Sequence, residues 1–217
     1  MNGCIDHTNL KIDATLKDIE TLCDEAVKNN FMAVCVFPYY VPLAKELLED
    51  TNVLVDTVIG FPLGMNTTAS KVYEAIDAIE NGADEVDMVI NIGALKNKDY
   101  EYIKEEIEEI RDAIDGKTLK VIIETCYLTN DEIIKMTEIC NETFVNYIKT
   151  STGFGVYGAK VEDVELINQY KSETLEIKAS GGIKDYDTAV KMLEAGATRI
   201  GTSSGVKIMG SVVDETV

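Results

Sequence analysis

The sequence predicts an α/β protein whose eight parallel strands close into a (β/α)8 barrel of the TIM type, and three observations carry that prediction. Short β-branched runs alternate with longer amphipathic, charged segments along the whole chain. The 217 residues divide into eight such units, averaging roughly 27 residues each, close to the lower size limit of that architecture. A local echo marks the unit: Glu80-Asn81-Gly82-Ala83-Asp84-Glu85-Val86 resembles Glu194-Ala195-Gly196-Ala197-Thr198-Arg199-Ile200. In both, a helix ends on a glycine that tolerates the left-handed conformation, and a strand follows at once. The structural rival, an open doubly wound sheet, would want Gly-x-Gly-x-x-Gly after its first strand, and none stands there.

Taken in order, the first strand is read over Gly3–Thr8 and leads into a helix over Leu16–Lys28, apolar at three- and four-residue spacing. Strand two, Ala33–Pro38, precedes a helix at Val41–Glu49, and strand three, Leu54–Phe61, one at Thr67–Glu80. Strands Glu85–Asn91 and Leu119–Cys126 each precede a helix, at Tyr100–Ile114 and Asn130–Cys140. Strands Phe144–Ser151 and Leu175–Ser180 are followed by helices at Lys160–Tyr170 and Asp185–Glu194, and Thr198–Thr202 is the eighth strand. The acidic helix faces, Glu105-Glu106-Ile107-Glu108-Glu109 included, read as a solvated outer surface.

Composition narrows the function. A content of 46% hydrophobic and 27% charged residues excludes disorder, and the length fits one domain over residues 1–217. No run of about 18 apolar residues occurs. Met1-Asn2-Gly3-Cys4-Ile5-Asp6 has neither a basic nor an apolar leader region, so a cytoplasmic protein with no membrane association is expected. The net charge of −19 repels nucleic acid and anionic lipid. Cys4, Cys23, Cys35, Cys126 and Cys140 are scattered without a Cys-x-x-Cys, and His7 is the only histidine. Neither a disulfide scaffold nor a metal site is therefore expected. His7 itself reads as a hydrogen-bonded structural residue.

Parallel strands covered by helices are normally apolar on both faces. Three strands break that pattern. In Glu85–Asn91, Val86, Met88 and Ile90 share the helix-facing side, which turns Asp87 inward. The same alternation directs Lys149 inward from Asn146–Ser151 and Lys178 inward from Leu175–Ser180. A single such lysine would equally well reach solvent with its long stem. Two on neighbouring strands, near the end of the barrel where active sites lie, point to chemistry. Only a neutral amine attacks a carbonyl. A second ammonium about 6 Å away, at an effective dielectric near 20, contributes about 2.8 kcal/mol, roughly a hundredfold in acidity. Either lysine is thus a candidate Schiff-base nucleophile, with Asp87 and the other lysine exchanging protons.

Small residues follow in Thr150-Ser151-Thr152-Gly153-Phe154-Gly155, Ser180-Gly181-Gly182-Ile183 and Gly201-Thr202-Ser203-Ser204-Gly205. Their backbone N–H groups and hydroxyls suit a phosphate, and a helix expected near Ser203 would aim its positive end at it. Ordinary turns are the plainer reading of each loop alone. Asp6 and Thr8 are expected at the barrel mouth beside Lys178, and Cys35 on the pocket wall, where a small buried hydrophobe explains it equally well.

These blocks resemble the deoxyribose-phosphate aldolase family, class I aldolases on a (β/α)8 barrel. The likeness spans nearly the whole chain. It rests on Ile5-Asp6-His7-Thr8, Ala33-Val34-Cys35-Val36, Ile59-Gly60-Phe61-Pro62-Leu63-Gly64, Glu85 to Gly93 and Val121-Ile122-Ile123-Glu124-Thr125. Ile148-Lys149-Thr150-Ser151-Thr152-Gly153-Phe154, Ile177 to Ile183 and Ile200-Gly201-Thr202-Ser203-Ser204 complete it. The resemblance implies a lyase of deoxyribose phosphate catabolism that cleaves 2-deoxy-D-ribose 5-phosphate reversibly into acetaldehyde and D-glyceraldehyde 3-phosphate, without metal or organic cofactor. It implies that Lys149 forms the Schiff base and that Lys178 and Asp87 transfer protons. It further implies that Gly153, Gly181, Gly182, Gly201, Ser203 and Ser204 hold the phosphate with Thr152 nearby, and that the chain is a homodimer.

The chain also departs from the family pattern. Only four residues precede Ile5, where relatives have a short helix, so the barrel bottom should be covered weakly or differently. Asn9 and Ile12 stand where leucine and proline are common, and the tail Val212–Val217 lacks the tyrosine that some relatives place over the site. Two other readings are compatible with the residues: a Schiff-base aldolase for a different phosphosugar, and a non-catalytic phosphosugar-binding barrel.

Overall fold

The eight predicted strands pair in sequence order, and β8 closes back onto β1 in a parallel barrel. The computed structural model describes residues 1–210, so the tail Val212–Val217 lies outside the described residues. The strands are β1 (Ile5–Asn9), β2 (Ala33–Val36), β3 (Leu54–Ile59), β4 (Glu85–Val89), β5 (Thr118–Ile122), β6 (Tyr147–Lys149), β7 (Glu176–Ser180) and β8 (Arg199–Thr202). The helices are α1 (Leu16–Asn29), α2 (Val41–Leu47), α3 (Thr68–Glu80), α4 (Ile92–Lys96), α5 (Tyr100–Ala113), α6 (Asn130–Glu142), α7 (Val161–Tyr170), α8 (Tyr186–Glu194) and α9 (Gly205–Gly210).

Local chemistry sets the helix starts. Thr15 and Asp18 form a reciprocal capping box on α1, and Thr129 and Glu132 form another on α6. Thr67, Asp99 and Asp185 cap α3, α5 and α8 with their side-chain oxygens. Outward strand residues such as Val86, Met88, Ile148 and Ile177 pack with Ile103, Ile107, Met136 and Ile167 of the helices into one apolar shell. Each such side chain contributes about 1.5–3 kcal/mol by leaving water. A second apolar group gathers under α1 and α2 around Ile5, Val34 and Val55.

Several expectations are corrected. The sixth strand begins at Tyr147 and not at Phe144, which takes φ +54° in the turn after α6 and is 76% exposed, so the apolar run there crosses a left-handed turn. The fifth strand stops at Ile122, because Glu124 adopts φ +53° and a 3-10 turn follows at Thr125–Tyr127. The short helix α4 was not anticipated. A 3-10 turn at Asn2–Cys4 precedes β1, and Met1 packs against both apolar groups, so this end of the barrel has a small cover. Glu106 is not on a solvated face: it is fully buried and paired with Lys71 at 2.9 Å.

Candidate active site

Strand parity fills the inside of this barrel with charge. Cα register sets Lys149 beside Lys178, Asp87 beside Lys120 and Asp56 beside Glu85. Four acids (Asp6, Asp56, Glu85, Asp87) and four bases (Lys120, Lys149, Lys178, Arg199) are all buried there. The Nζ atoms of Lys149 and Lys178 both donate to one oxygen, Asp87 Oδ2, at 2.8 and 2.7 Å. Lys178 also meets Asp6 at 2.6 Å and Asp56 at 2.8 Å. Lys120 meets Asp56, Glu85 and Asp87 at 2.9, 2.8 and 2.7 Å. Arg199 spans Asp6 and Glu85, at 2.5 and 2.7 Å from Nη2.

The two amines are crowded as expected, but the consequence drawn for Lys178 is reversed. Burial pushes its pKa down; Asp56, Asp6 and Asp87 more than offset this, and it lies well above the usual lysine value. One neighbouring ammonium repels Lys178, but three carboxylates within 2.8 Å attract it and prevail. Burial raises Asp87, yet Lys120, Lys149 and Lys178 together hold its carboxyl well below the usual range. Asp6 is likewise raised by burial and brought below its usual value by Lys178 and Arg199. Asp56 goes the other way, to about 6, because burial and the nearby Asp87 outweigh Lys120 and Lys178.

Lys149 differs from its neighbours in two respects. It has a single carboxylate partner, and it lines a cavity of about 500 Å³ at the C-terminal end of the strands. Lys178 and Asp87 do not line that cavity; they connect to it through Lys149. A cavity of this size lies within the range of small-molecule sites. Phe154 on its rim stacks edge-on against Phe61 at 5.5 Å, and Phe61 against Phe37 at 5.8 Å.

The predicted phosphate loops do converge. Thr152, Gly153, Gly181, Gly182, Gly201 and Ser203 all line the cavity. The loop after β6 is seated on the loop after β7: Ala159 N donates to Ser180 O and Gly181 O, both at 3.0 Å. That seating requires Gly181, at φ +83°, where an added Cβ would come within 2.9 Å of Gly158 Cα. Glu124 holds the other side, accepting from Thr152 N at 3.1 Å and from Thr152 Oγ1. Ser204 does not line the cavity; its N–H donates to Thr202 Oγ1, and α9 begins after it, at Gly205.

Among the remaining expectations, Thr8 lines the cavity and donates to Asp6 O at 2.9 Å, while Asp6 sits deeper on Lys178. Cys35 is corrected: it is 1% exposed, does not line the cavity and packs with Leu10 and Val58. Burial first, then Asp56, pushes its thiol well above the usual value. His7 bonds Glu25 Oε2 at 2.8 Å and leans on Phe31, which supports a structural role although its ring borders the cavity.

Sequence reasoning missed Lys120, Asp56, Glu85 and Arg199, although the parity that found Asp87 also turns Asp56 inward from β3 and Lys120 from β5. It also missed Lys11 and Lys184, two further lysines on the cavity wall beside Lys149, Lys184 just after the glycine pair. Among the described residues, Cys35–Asp56–Asp87 and Asp6–Asp56–Glu85 are grouped closely enough to share a cation. The ammonium groups of Lys120 and Lys178 already sit on those carboxylates.

The DeoC/LacD family aldolase pattern matches residues 3–211. The chain belongs to that family. This DeoC/LacD aldolase is 57% identical over 213 residues to a deoxyribose-phosphate aldolase of Carboxydothermus hydrogenoformans, covering 96% of this chain and 93% of that protein. It is 55% identical to one from Thermococcus kodakarensis, over 97% and 96% of the two chains. A tetrameric deoxyribose phosphate aldolase structure from Aeropyrum pernix superimposes with a TM-score of 0.92 at 30% identity, covering 99% of this chain and 92% of that one. No helix among the described residues is long and apolar enough to cross a membrane.

Proposed function

We propose that this aldolase cleaves 2-deoxy-D-ribose 5-phosphate through a Schiff base on Lys149, releasing acetaldehyde and D-glyceraldehyde 3-phosphate. One observation carries the assignment: of the buried lysines inside the barrel, Lys149 alone borders the cavity, with Asp87 behind it. Neutral Lys149 adds to the aldehyde carbon of the open-chain sugar, and loss of water gives an iminium. Removal of the C3 hydroxyl proton lets the C2–C3 bond break, with its electrons moving into the iminium to form an enamine while C3 becomes the aldehyde carbon of D-glyceraldehyde 3-phosphate. Protonation of the enamine and hydrolysis free acetaldehyde.

Asp87 and Lys178 supply and take the protons through a water in the cavity, since neither reaches it directly. The phosphate lies against Gly153, Gly181, Gly182, Gly201 and Ser203, with Thr152 and Lys184 beside it. Ser204 contributes through its position at the end of that loop. Deoxyribose phosphate catabolism in the cytoplasm and assembly as a homodimer belong to the same reading, in contrast to the tetramer of the Aeropyrum pernix relative.

The experiment is reductive trapping. Borohydride added with acetaldehyde is expected to leave an ethyl group on Lys149, located by peptide mapping, and Lys149→Met is expected to abolish both the label and turnover. A label on Lys178, or wild-type labelling of Lys149→Met, would overturn the assignment. Cleavage of deoxyribose 5-phosphate should exceed that of fructose and ketodeoxy-acid phosphates; the reverse would move the substrate assignment to another phosphosugar.

A further inference from the structure

Asp56 is the one acid common to both close carboxylate groupings inside the barrel, so Asp6, Glu85 and Asp87 all crowd it. It faces Cys35 from β2, Asp87 and Glu85 from β4, Lys120 from β5, Lys178 from β7 and Asp6 from β1. It is fully buried and does not line the cavity. Its Oδ1 accepts from Lys120 and its Oδ2 from Lys178. A continuous chain therefore runs from Asp56 Oδ2 to Lys178 Nζ (2.8 Å), Asp87 Oδ2 (2.7 Å) and Lys149 Nζ (2.8 Å).

Charge conservation gives this chain a task. With every group ionised, four carboxylates balance four cations. When Lys149 is neutral, as a nucleophile must be, the enclosed layer carries one surplus negative charge, which a low-dielectric interior penalises unless an acid takes up a proton.

We infer that Asp56 is the proton store of this site, holding as a carboxylic acid the proton that Lys149 gives up and returning it through Lys178 and Asp87 when the iminium forms. The inference rests on Lys149 as the Schiff-base residue. Lys149 amine, aldehyde and Asp56 carboxylic acid give Lys149 iminium, water and Asp56 carboxylate. The carbonyl oxygen leaves as water, and the extra proton on that water comes from Asp56. The layer is neutral before and after, and no proton is drawn from the solvent. The other acids serve less well: Asp87 is gripped by three ammonium groups, and Arg199 bridges Asp6 and Glu85. Asp56, raised by burial first and then by Asp87, is the carboxylate that accepts a proton most readily. It is a positioning residue, touching no reacting atom.

Asp56→Asn tests this. The amide fixes the protonated form without a proton to give, so Lys149 stays neutral and must draw its iminium proton from water. In weakly buffered solution at neutral pH with an indicator dye, acetaldehyde is expected to cause no net proton uptake by the wild type and uptake of about one proton per chain by Asp56→Asn. The pH midpoint of borohydride trapping should fall by about one and a half to two units in the variant, the size expected for removing one charge about 6–8 Å away at an effective dielectric near 20. A folded variant with no proton uptake and an unshifted midpoint would overturn the inference.

A measurement on the wild type covers the case in which the variant does not fold. The infrared stretching band of a protonated carboxyl group should disappear when acetaldehyde is added, and should persist in Lys149→Met. No change in that band on wild-type adduct formation would also overturn the inference. Failure of the Schiff-base reading is distinct: it appears as no reduced adduct on Lys149 of the wild type.

Discussion

A buried ion pair outside the barrel and the most heavily partnered charges inside it shift in opposite directions. Outside the barrel, Lys71 of α3 and Glu106 of α5 form a lone pair at 2.9 Å, each with no exposure to solvent. Burial dominates both: it pulls Lys71 below the usual lysine value against Glu106, and it lifts Glu106 above the usual glutamate value against Lys71. Inside the barrel burial is at least as complete, yet Asp87 is lowered and Lys178 raised. The difference is the number of partners. One counter-charge does not repay the loss of water by two ions, whereas Asp87 and Lys178 each meet three. A single buried pair is weakly stabilising at best, while a closed network can hold its charges, and only the network touches a cavity.

Lys178→Met breaks that contrast most severely. It leaves Asp6, Asp56 and Asp87 without their shared cation, and the expected cost is about 3–5 kcal/mol of folding stability, as for other broken buried pairs. Turnover should fall by about 10²–10⁴-fold, the usual weight of a lost proton-transfer partner. The barrel should still assemble around its apolar shell. Urea denaturation and deoxyribose 5-phosphate cleavage measure the two effects; near-wild-type values of both would mean that the network does not act as a unit.

The lone pair sharpens the comparison. Glu106→Gln strands the Lys71 ammonium, which also donates to Val89 O at 2.8 Å, and should cost about 3 kcal/mol with cleavage per folded molecule unchanged. Replacing both partners, as Lys71→Met with Glu106→Leu, should return stability to within about 1 kcal/mol of the wild type or above it. If the double variant were as unstable as the single one, the pair would owe its place to specific bonds, those of Thr68 and Tyr102 to Glu106 included. Cleavage assays beside denaturation midpoints separate the outcomes.

This contrast also shows how much was legible. Parity along β4, β6 and β7 was enough to place Asp87, Lys149 and Lys178 inside, because a charge between outward apolar residues has only one other face available. The rule holds equally for Asp56, Glu85, Lys120 and Arg199, the other half of the network. What parity does not give is partnership: Asp56 and Lys178 stand 122 residues apart and meet only when the barrel closes. Glu106 was hidden for the opposite reason. Within Glu105–Glu109 the run of acids reads as solvated, yet helical spacing puts Glu106 on the face of Ile103 and Ile110, and the packing of α3 on α5 buries it. Glu124 reaches Thr152 through a left-handed backbone that no side-chain pattern announces.

The smallest expected effect separates the two kinds of acid within the network by pH. Asp6 and Asp87 have folded pKa values below their unfolded ones, so their stabilisation is fully present above about pH 4 and is lost as pH falls through the folded values. Asp56, at about 6, has the opposite sign. Between about pH 4 and its folded value the native state binds more protons than the unfolded chain, so its contribution declines as pH rises through that window. The urea midpoint should therefore drop slightly from pH 5 to pH 7, on the order of 1 kcal/mol in stability, and fall steeply below pH 4. Asp56→Asn should flatten the first slope and leave the second. Glu106 carries the same sign as Asp56, so the slope has to be compared in the Lys71→Met, Glu106→Leu background as well. A slope that vanished there and survived Asp56→Asn would assign the titration to the lone pair instead of the network.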